Sequence, residues 1–341
     1  MTSPPTLKAV AERAGVHVTT ASRALNPATS SLVNADTILR VQAAARELRY
    51  QPNAIARGLK TARSMSVGVL LPDLTNPLFP PIVRGIEDAL AAGGYTTLIA
   101  NTDNDPERQL ALFDTLRARQ VDGFIAATAR RDDRLFVDAH RDGVKIVLVN
   151  RRVLGSGIPS VTADDQEGVA MAMRHLIDLG HTRIAHVAGP ADTATGQARQ
   201  RAYQQTLEEA GISADPALVS TSAEFTEVDG ATAARAMLDA AGTTPTAVVA
   251  GNDTIALGCL DAFAERGLRC PDDISLVGFN DMAFVDRLAP PLTTVRVPHY
   301  QIGAEAGRML LERLANPDLP AKSITLPATL VVRGSTASPR R

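Results

Sequence analysis

Within residues 6–60, apolar side chains recur at helical spacing in short bursts. Thr6 is placed to cap a helix over Leu7–Ala14, with Val10 and Ala14 on one face and Gly15 as its left-handed stop. A second helix is predicted over Val18–Leu25, with Ala21 and Leu25 turned inward. Asn34 can cap a third, in which Ile38, Val41, Ala45 and Leu48 recur before Pro52 closes it. A short segment, 53–60, then leads to Arg63-Ser64. From Ser66 the grammar changes to short β-branched or apolar runs alternating with amphipathic stretches. Strands are predicted at 67–71, 96–100, 123–127, 146–149, 183–188, 247–250 and 275–279. Helices are predicted near 78–92, 106–118, 166–179, 197–210, 230–241, 253–266 and 301–314. The run 292–295 after Pro290-Pro291 reads as a late crossover strand, and 326–332 as a final one. Strand–helix alternation implies parallel sheets covered on both faces, and seven such strands suit two doubly wound lobes better than one.

Length agrees, because 341 residues exceed one core of ordinary size. No apolar run approaches the ~18 residues that cross a bilayer. The start Met1-Thr2-Ser3-Pro4-Pro5 has neither the basic flank nor the apolar core of a signal peptide, so a cytoplasmic location is expected. Cys259 and Cys270 are too few for a four-thiolate zinc site. The net charge of −2 conceals a segregation: residues 1–63 hold nine basic and three acidic groups, a net +6, and the remainder is −8. A basic head on an acidic body is expected to meet a polyanion through the head alone.

The first two helices, joined by Gly15-Val16-His17, have helix-turn-helix proportions, and Ala11, Ala14 and Ala21 allow a close crossing. The second begins Val18-Thr19-Thr20 and carries Ser22 and Arg23; threonine offers a hydroxyl and a methyl to base edges, and arginine can bond guanine bidentately. By itself the motif is also a common packing unit, so a role without DNA stays open.

The run from Thr6 to Asn26 closely resembles the opening of the lactose-repressor (LacI/GalR) family of bacterial regulators, as does Ala44 to Lys60. The body is similar as well, in Leu71 to Phe79, Leu179 to Ile184, Gly251-Asn252-Asp253 and Pro290 to Val295. Two positions depart from the family pattern. Ala9 stands where an acidic residue usually begins the first helix, and His17 where a serine usually caps the second.

The resemblance implies an all-α helix-turn-helix head with an α/β body of two doubly wound parallel-sheet lobes, like those of periplasmic binding proteins. The expected limits are 1–52 for the DNA-binding domain, 53–64 for a hinge and 65–341 for an effector-binding body. Within the body, 65–162 with 293–320 forms one lobe, and 163–292 with 321–341 the other. The resemblance assigns DNA binding to Val18, Thr19, Thr20, Ser22, Arg23 and Asn26, and to Ile55, Ala56, Leu59 and Lys60 of the hinge. There a segment too short to be a stable helix alone would order on operator DNA, with Leu59 as a minor-groove wedge. It also places Leu78, Phe79, Asn150, Arg199, Phe225, Asn252 and Asn280 around a small effector between the lobes, with Arg199 as the one cation sent there. An aromatic wall with amides and an arginine suits a sugar or sugar acid. Asn280 replaces an aspartate common in the family, which lowers negative charge at the site. Other readings stay open for single residues: Phe79 as plain core, Asn252 and Asp253 as helix caps, Arg199 as a surface charge.

Doubly wound lobes also build enzymes. The chain has no G-x-G-x-x-G after its first strand, no Walker A run and no G-x-S-x-G elbow, and its six histidines show no metal-ligand spacing. No enzyme activity, cofactor or metal is therefore expected. The expected partners are operator DNA, a small-molecule effector and a second copy of the chain, forming a homodimer rather than a tetramer because no leucine heptads follow Arg333.

Overall fold

The computed structural model describes residues 5–26, 29–50 and 63–340. The chain divides into two compact units, Met1–Ser64 and Met65–Arg341. In the first, α1 (Leu7–Ala14), α2 (Val18–Leu25) and α3 (Ala35–Glu47) pack around Val10, Ala11, Ala14, Ala21, Ala24, Val41, Ala44 and Ala45. Small side chains at the crossings let the helices approach closely. The Thr6 Oγ1 accepts from Ala9 N at 3.2 Å, and Gly15 takes φ 65°. The missing acid at Ala9 therefore leaves α1 capped. Arg13 clamps α1 to α3 with a forked bond to Glu47, at 2.7 Å from NH2 and 3.0 Å from Nε. Pro52 and the hinge positions Asn53 to Lys60, with Ile55, Ala56, Leu59 and Lys60 among them, lie outside the described residues.

The second unit holds two six-stranded sheets. Its strands are β1 (Ser66–Leu71), β2 (Thr96–Asn101), β3 (Gly123–Ala126), β4 (Ile146–Val149), β5 (Ser160–Ala163), β6 (Ile184–Ala188), β7 (Val219–Thr221), β8 (Ala247–Ala250), β9 (Ser275–Asn280), β10 (Thr293–Arg296), β11 (Ser323–Leu326) and β12 (Thr329–Val331). The helices are α4 (Phe79–Ala92), α5 (Pro106–Ala118), α6 (Arg134–Arg141), α7 (Asp165–Asp178), α8 (Ala194–Glu209), α9 (Glu227–Ala240), α10 (Asp253–Glu265) and α11 (His299–Ala315). The first sheet runs β11-β5-β4-β3-β1-β2, parallel throughout. The second runs β12-β10-β9-β8-β6-β7, with only β12 antiparallel. Alternation along β1 shows why the strands read as unbroken apolar runs: Val67, Val69 and Leu71 face one core, and Leu70 faces another with Phe113, Phe124 and Phe136.

The lobe boundaries expected from the sequence need correction. Thr293 registers with Val277, so β10 belongs to the second lobe. Ser323 registers with Ser160, so β11 belongs to the first. Only α11, within the expected 293–320, packs on the first lobe, against α4. The expected final strand at 326–332 is β12, shortened to Thr329–Val331, and Leu326 instead ends β11 in the other sheet. Hydrogen-bonding edges decide this rather than chain order, since β5 and β9 each offer an open edge that a late segment completes. The chain consequently crosses between lobes three times, at 163–165, 296–299 and 326–329. Two glycines set the α4–α11 contact. A Cβ on Gly303 would lie 1.9 Å from the Ile82 carbonyl oxygen, and one on Gly85 2.1 Å from that of Tyr300. The sequence pattern missed β5, β7 and α6, which are short; β5 also buries Ser160 and Thr162 where an apolar run would signal a strand.

Candidate functional site

In the head, Val18, Thr19 and Arg23 are exposed, while Thr20, Ser22 and Asn26 are half-buried. They lie along α2 and its C-cap, away from Ala21 and Ala24, which face the core. A spacing of four residues brings Val18 beside Ser22 and Thr19 beside Arg23 on one side of the helix. His17 proves to be a working cap: its Nδ1 accepts from Thr19 N at 3.3 Å and meets the Thr19 hydroxyl at 2.8 Å. The ring thus caps α2 where the family usually has a serine.

In the body, Leu78, Phe79, Asn150, Arg199, Phe225, Asn252 and Asn280, drawn from 203 positions of chain, line one cavity. It sits at the carboxyl ends of parallel strands, where β1, β4, β8 and β9 deliver loops and α4 and α8 begin, the usual ligand edge of such sheets. Asn150 (φ 62°) and Asn280 (φ 119°) take left-handed backbone where β4 and β9 end, and strained residues of this kind collect at functional sites. Phe225 fits because Gly189 lacks a Cβ, which would come within 2.3 Å of its ring.

Phe79 is both core and cavity wall. The Asn252 Oδ1 caps α10, accepting from Ile255 N at 2.8 Å, which leaves its amide nitrogen for the cavity. Arg199 is no surface charge. Its Nε and NH2 lie 2.8 and 2.7 Å from Asp165 Oδ1, its NH1 donates to the Gly251 carbonyl at 2.6 Å, and its guanidinium lies 3.7 Å from the Phe279 ring centroid. Burial pushes the Asp165 carboxyl up, against the pull of Arg199.

Nor is Arg199 the one cation of the cleft. Arg151, next to Asn150, lines the same cavity. Burial pushes its guanidinium down to about 10, which leaves it charged at neutral pH. The sequence reading also missed Asp73, Asn76, Asn104, Thr195 and Thr226. Position was the available signal: Arg151 directly follows a strand-ending asparagine, and Asp73 and Asn76 occupy the loop that delivers Leu78.

A second tier holds these groups. The buried Asp253 accepts from Met282 N at 2.7 Å and from the Thr294 hydroxyl at 2.6 Å, and burial pushes its carboxyl up to about 7. Asp281 pairs with Arg296 and Arg333, each at 2.6 Å. Together they pin the loop carrying Asn280. Across the cleft, Arg130, following β3, pairs with Asp192, following β6, at 2.9 Å, and Arg131 N donates to the Asp192 carbonyl at 2.8 Å.

A helix-turn-helix head with a two-lobed α/β body and an interlobe cavity defines a ligand-responsive DNA-binding class. Residues 6–53 match the model of bacterial regulatory proteins of the lacI family, and residues 173–336 that of a periplasmic binding protein-like domain. The chain is 33% identical over 332 residues to the HTH-type transcriptional repressor CytR of Escherichia coli (strain K12), covering 97% of this chain and 96% of that protein. It is 34% identical over 331 residues to the ribose operon repressor of Bacillus subtilis (strain 168), covering 97% and 98%. The crystal structure of the lac repressor dimer bound to operator and the anti-inducer ONPF superposes with a TM-score of 0.87 at 30% identity, covering 98% of this chain and 100% of that one. The chain belongs to the lacI family of bacterial regulatory proteins. Among the described residues, no helix is long and apolar enough to cross a membrane.

Proposed function

We propose that the protein is a cytoplasmic transcription repressor that binds a near-palindromic operator as a homodimer and whose DNA affinity is set by a small effector, a sugar or sugar acid, in the interlobe cavity. The observation that carries this reading is the convergence of seven separated side chains on one cavity in a chain whose second head helix also exposes Val18, Thr19 and Arg23. The similar lac repressor structure is a dimer on operator, another similar structure is a regulator, CelR, in complex with cellobiose, and the relatives are named as repressors, which favours binding over catalysis. Val18, Thr19, Thr20, Ser22, Arg23 and Asn26 would meet the major groove, and Ile55, Ala56, Leu59 and Lys60 the minor groove. A palindrome requires a two-fold protein, so each head meets one half-site.

Operator selection from random duplexes, followed by fluorescence anisotropy, tests this reading. Enrichment of a palindrome is expected, with Arg23→Ala costing about 1–3 kcal/mol and relaxing one base pair per half-site. Enrichment of no sequence, or binding as a monomer, would defeat it.

A further inference from the structure

The two arginines that line the cavity differ in a way that bears on what enters it. Arg199 is fully engaged by Asp165, the Gly251 carbonyl and the Phe279 ring. Arg151 is almost as deeply buried, at 6% exposure, yet among the described residues it has no carboxylate within 4.0 Å and its Nε has no hydrogen-bond partner. Its guanidinium lies over the Phe225 ring, 5.7 Å from the centroid. Glu224 and Asp192 act on it only at longer range, and Asp192 is already paired with Arg130; Arg130 and Arg199 oppose them. The single carboxylate on the cavity wall, Asp73, is turned into its own loop, where Oδ1 accepts from the Thr75 amide and hydroxyl.

We infer that the effector carries a negative charge and that Arg151 is the residue that selects it. The inference rests on the proposed effector role of the cavity and deepens it. An unpaired buried cation weakens the folded state, and a bound anion able to accept from a guanidinium fork offsets that cost. The same cavity holds the converse orphan: Asn280 Oδ1, on a residue only 3% exposed, is an acceptor without a donor. A ligand that satisfies both offers an anionic group to Arg151 and a hydroxyl to Asn280, with its carbon faces against Phe79 and Phe225. The ligand is thus a small hydroxylated molecule bearing a carboxylate or a phosphate, since a neutral sugar offers Arg151 hydroxyl acceptors but no compensating charge.

Thermal unfolding of the full chain and its Arg151→Gln and Arg151→Lys variants tests this at constant ionic strength, without ligand and with glucose, glucuronate, glucose 6-phosphate or inorganic phosphate. The wild type should be stabilised by phosphate and by at least one of the two acidic sugars, more than by glucose; which acid acts separates carboxylate from phosphate. Arg151→Gln should abolish that difference, weakening the anion at least about tenfold. Without ligand it should melt higher than wild type by about 2 °C or more, because it removes the unpaired charge. Arg151→Lys should keep part of the anion response. The inference is overturned if glucose stabilises as well as the acids, if phosphate protects Arg151→Gln as it protects wild type, or if ligand-free Arg151→Gln melts lower. Anisotropy on operator separates the two readings. A neutral sugar that releases operator from wild type and Arg151→Gln alike overturns this inference and leaves effector control standing. An anion bound through Arg151 that leaves operator affinity unchanged does the reverse.

Discussion

Arg199 shows how a correctly located residue can acquire a different role once its neighbours are known. From the sequence it is the one cation that the family resemblance sends between the lobes, with a surface charge as the other reading. In the fold it also neutralises Asp165 in a setting where the two side chains are only 5% and 11% exposed. Arg199→Ala strands a buried carboxylate, and breaking such a pair typically costs about 3–5 kcal/mol. Urea unfolding of the body should register that loss before any effector titration is interpreted; an unchanged midpoint would mean that Asp165 finds another partner. Asp253 offers a pH-dependent test at the same scale. Its folded carboxyl titrates near 7, far above its ordinary value of 3.8. The folded state therefore holds a proton that the unfolded chain has released. The stability this confers is complete below about 4 and is lost as pH rises through 7. Against Asp253→Asn, which does not titrate, the wild type should lose relative stability between pH 5 and 8, with a slope approaching about 1.4 kcal/mol per pH unit below 7. A pH-independent difference in urea midpoints would place the proton elsewhere.

Among the elements, the helices with matching caps and periodicity were the legible ones. Thr6, His17 and Asn34 each accept a backbone N–H at the start of their helices, so α1, α2 and α3 begin where the sequence reading placed them. The α4–α11 pair is decided differently, by two glycines that let one helix lie against the carbonyls of the other. Gly303→Ala would press a methyl into the Ile82 carbonyl, and since backbone cannot yield as a side-chain tip does, the helices must separate. A loss of about 1–3 kcal/mol is expected from chemical denaturation, with α11 the first segment to lose hydrogen-exchange protection. Gly307 leaves somewhat more room, its added Cβ meeting the Ala89 methyl at 2.7 Å and the Ile86 carbonyl oxygen at 3.2 Å.

At the scale of the whole molecule, three chain crossings and one ion pair control how the lobes of the body meet. Arg130 and Asp192 reach across the cleft from the loops after β3 and β6, but they are 41% and 52% exposed. Such a pair contributes about 1 kcal/mol at most. Asp192→Asn should therefore weaken any ligand that requires the closed cleft by no more than about fivefold, more at low salt than at high salt. An effect of a hundredfold would make the pair a principal lock; none at all would make it a bystander. The lobes themselves could be read from the chain in outline, because β-strands buried on both faces and amphipathic helices leave local periodic signals. So could the helix-turn-helix head, where three helix starts and a glycine stop lie within thirty residues. The seven cavity positions could also be named, but only through motifs repeated across a family, since nothing local to Phe225 or Asn280 marks either as a neighbour of Leu78. What only the tertiary structure decided follows from pairing at long range. It decided that β10 and β11 belong to opposite lobes, because an open sheet edge recruits whichever strand reaches it. It also decided that Arg199 is matched by Asp165 while Arg151, among the described residues, has no carboxylate within 4.0 Å. The charge of a residue is written in the chain, but its compensation depends on what the fold brings within a few ångströms of it.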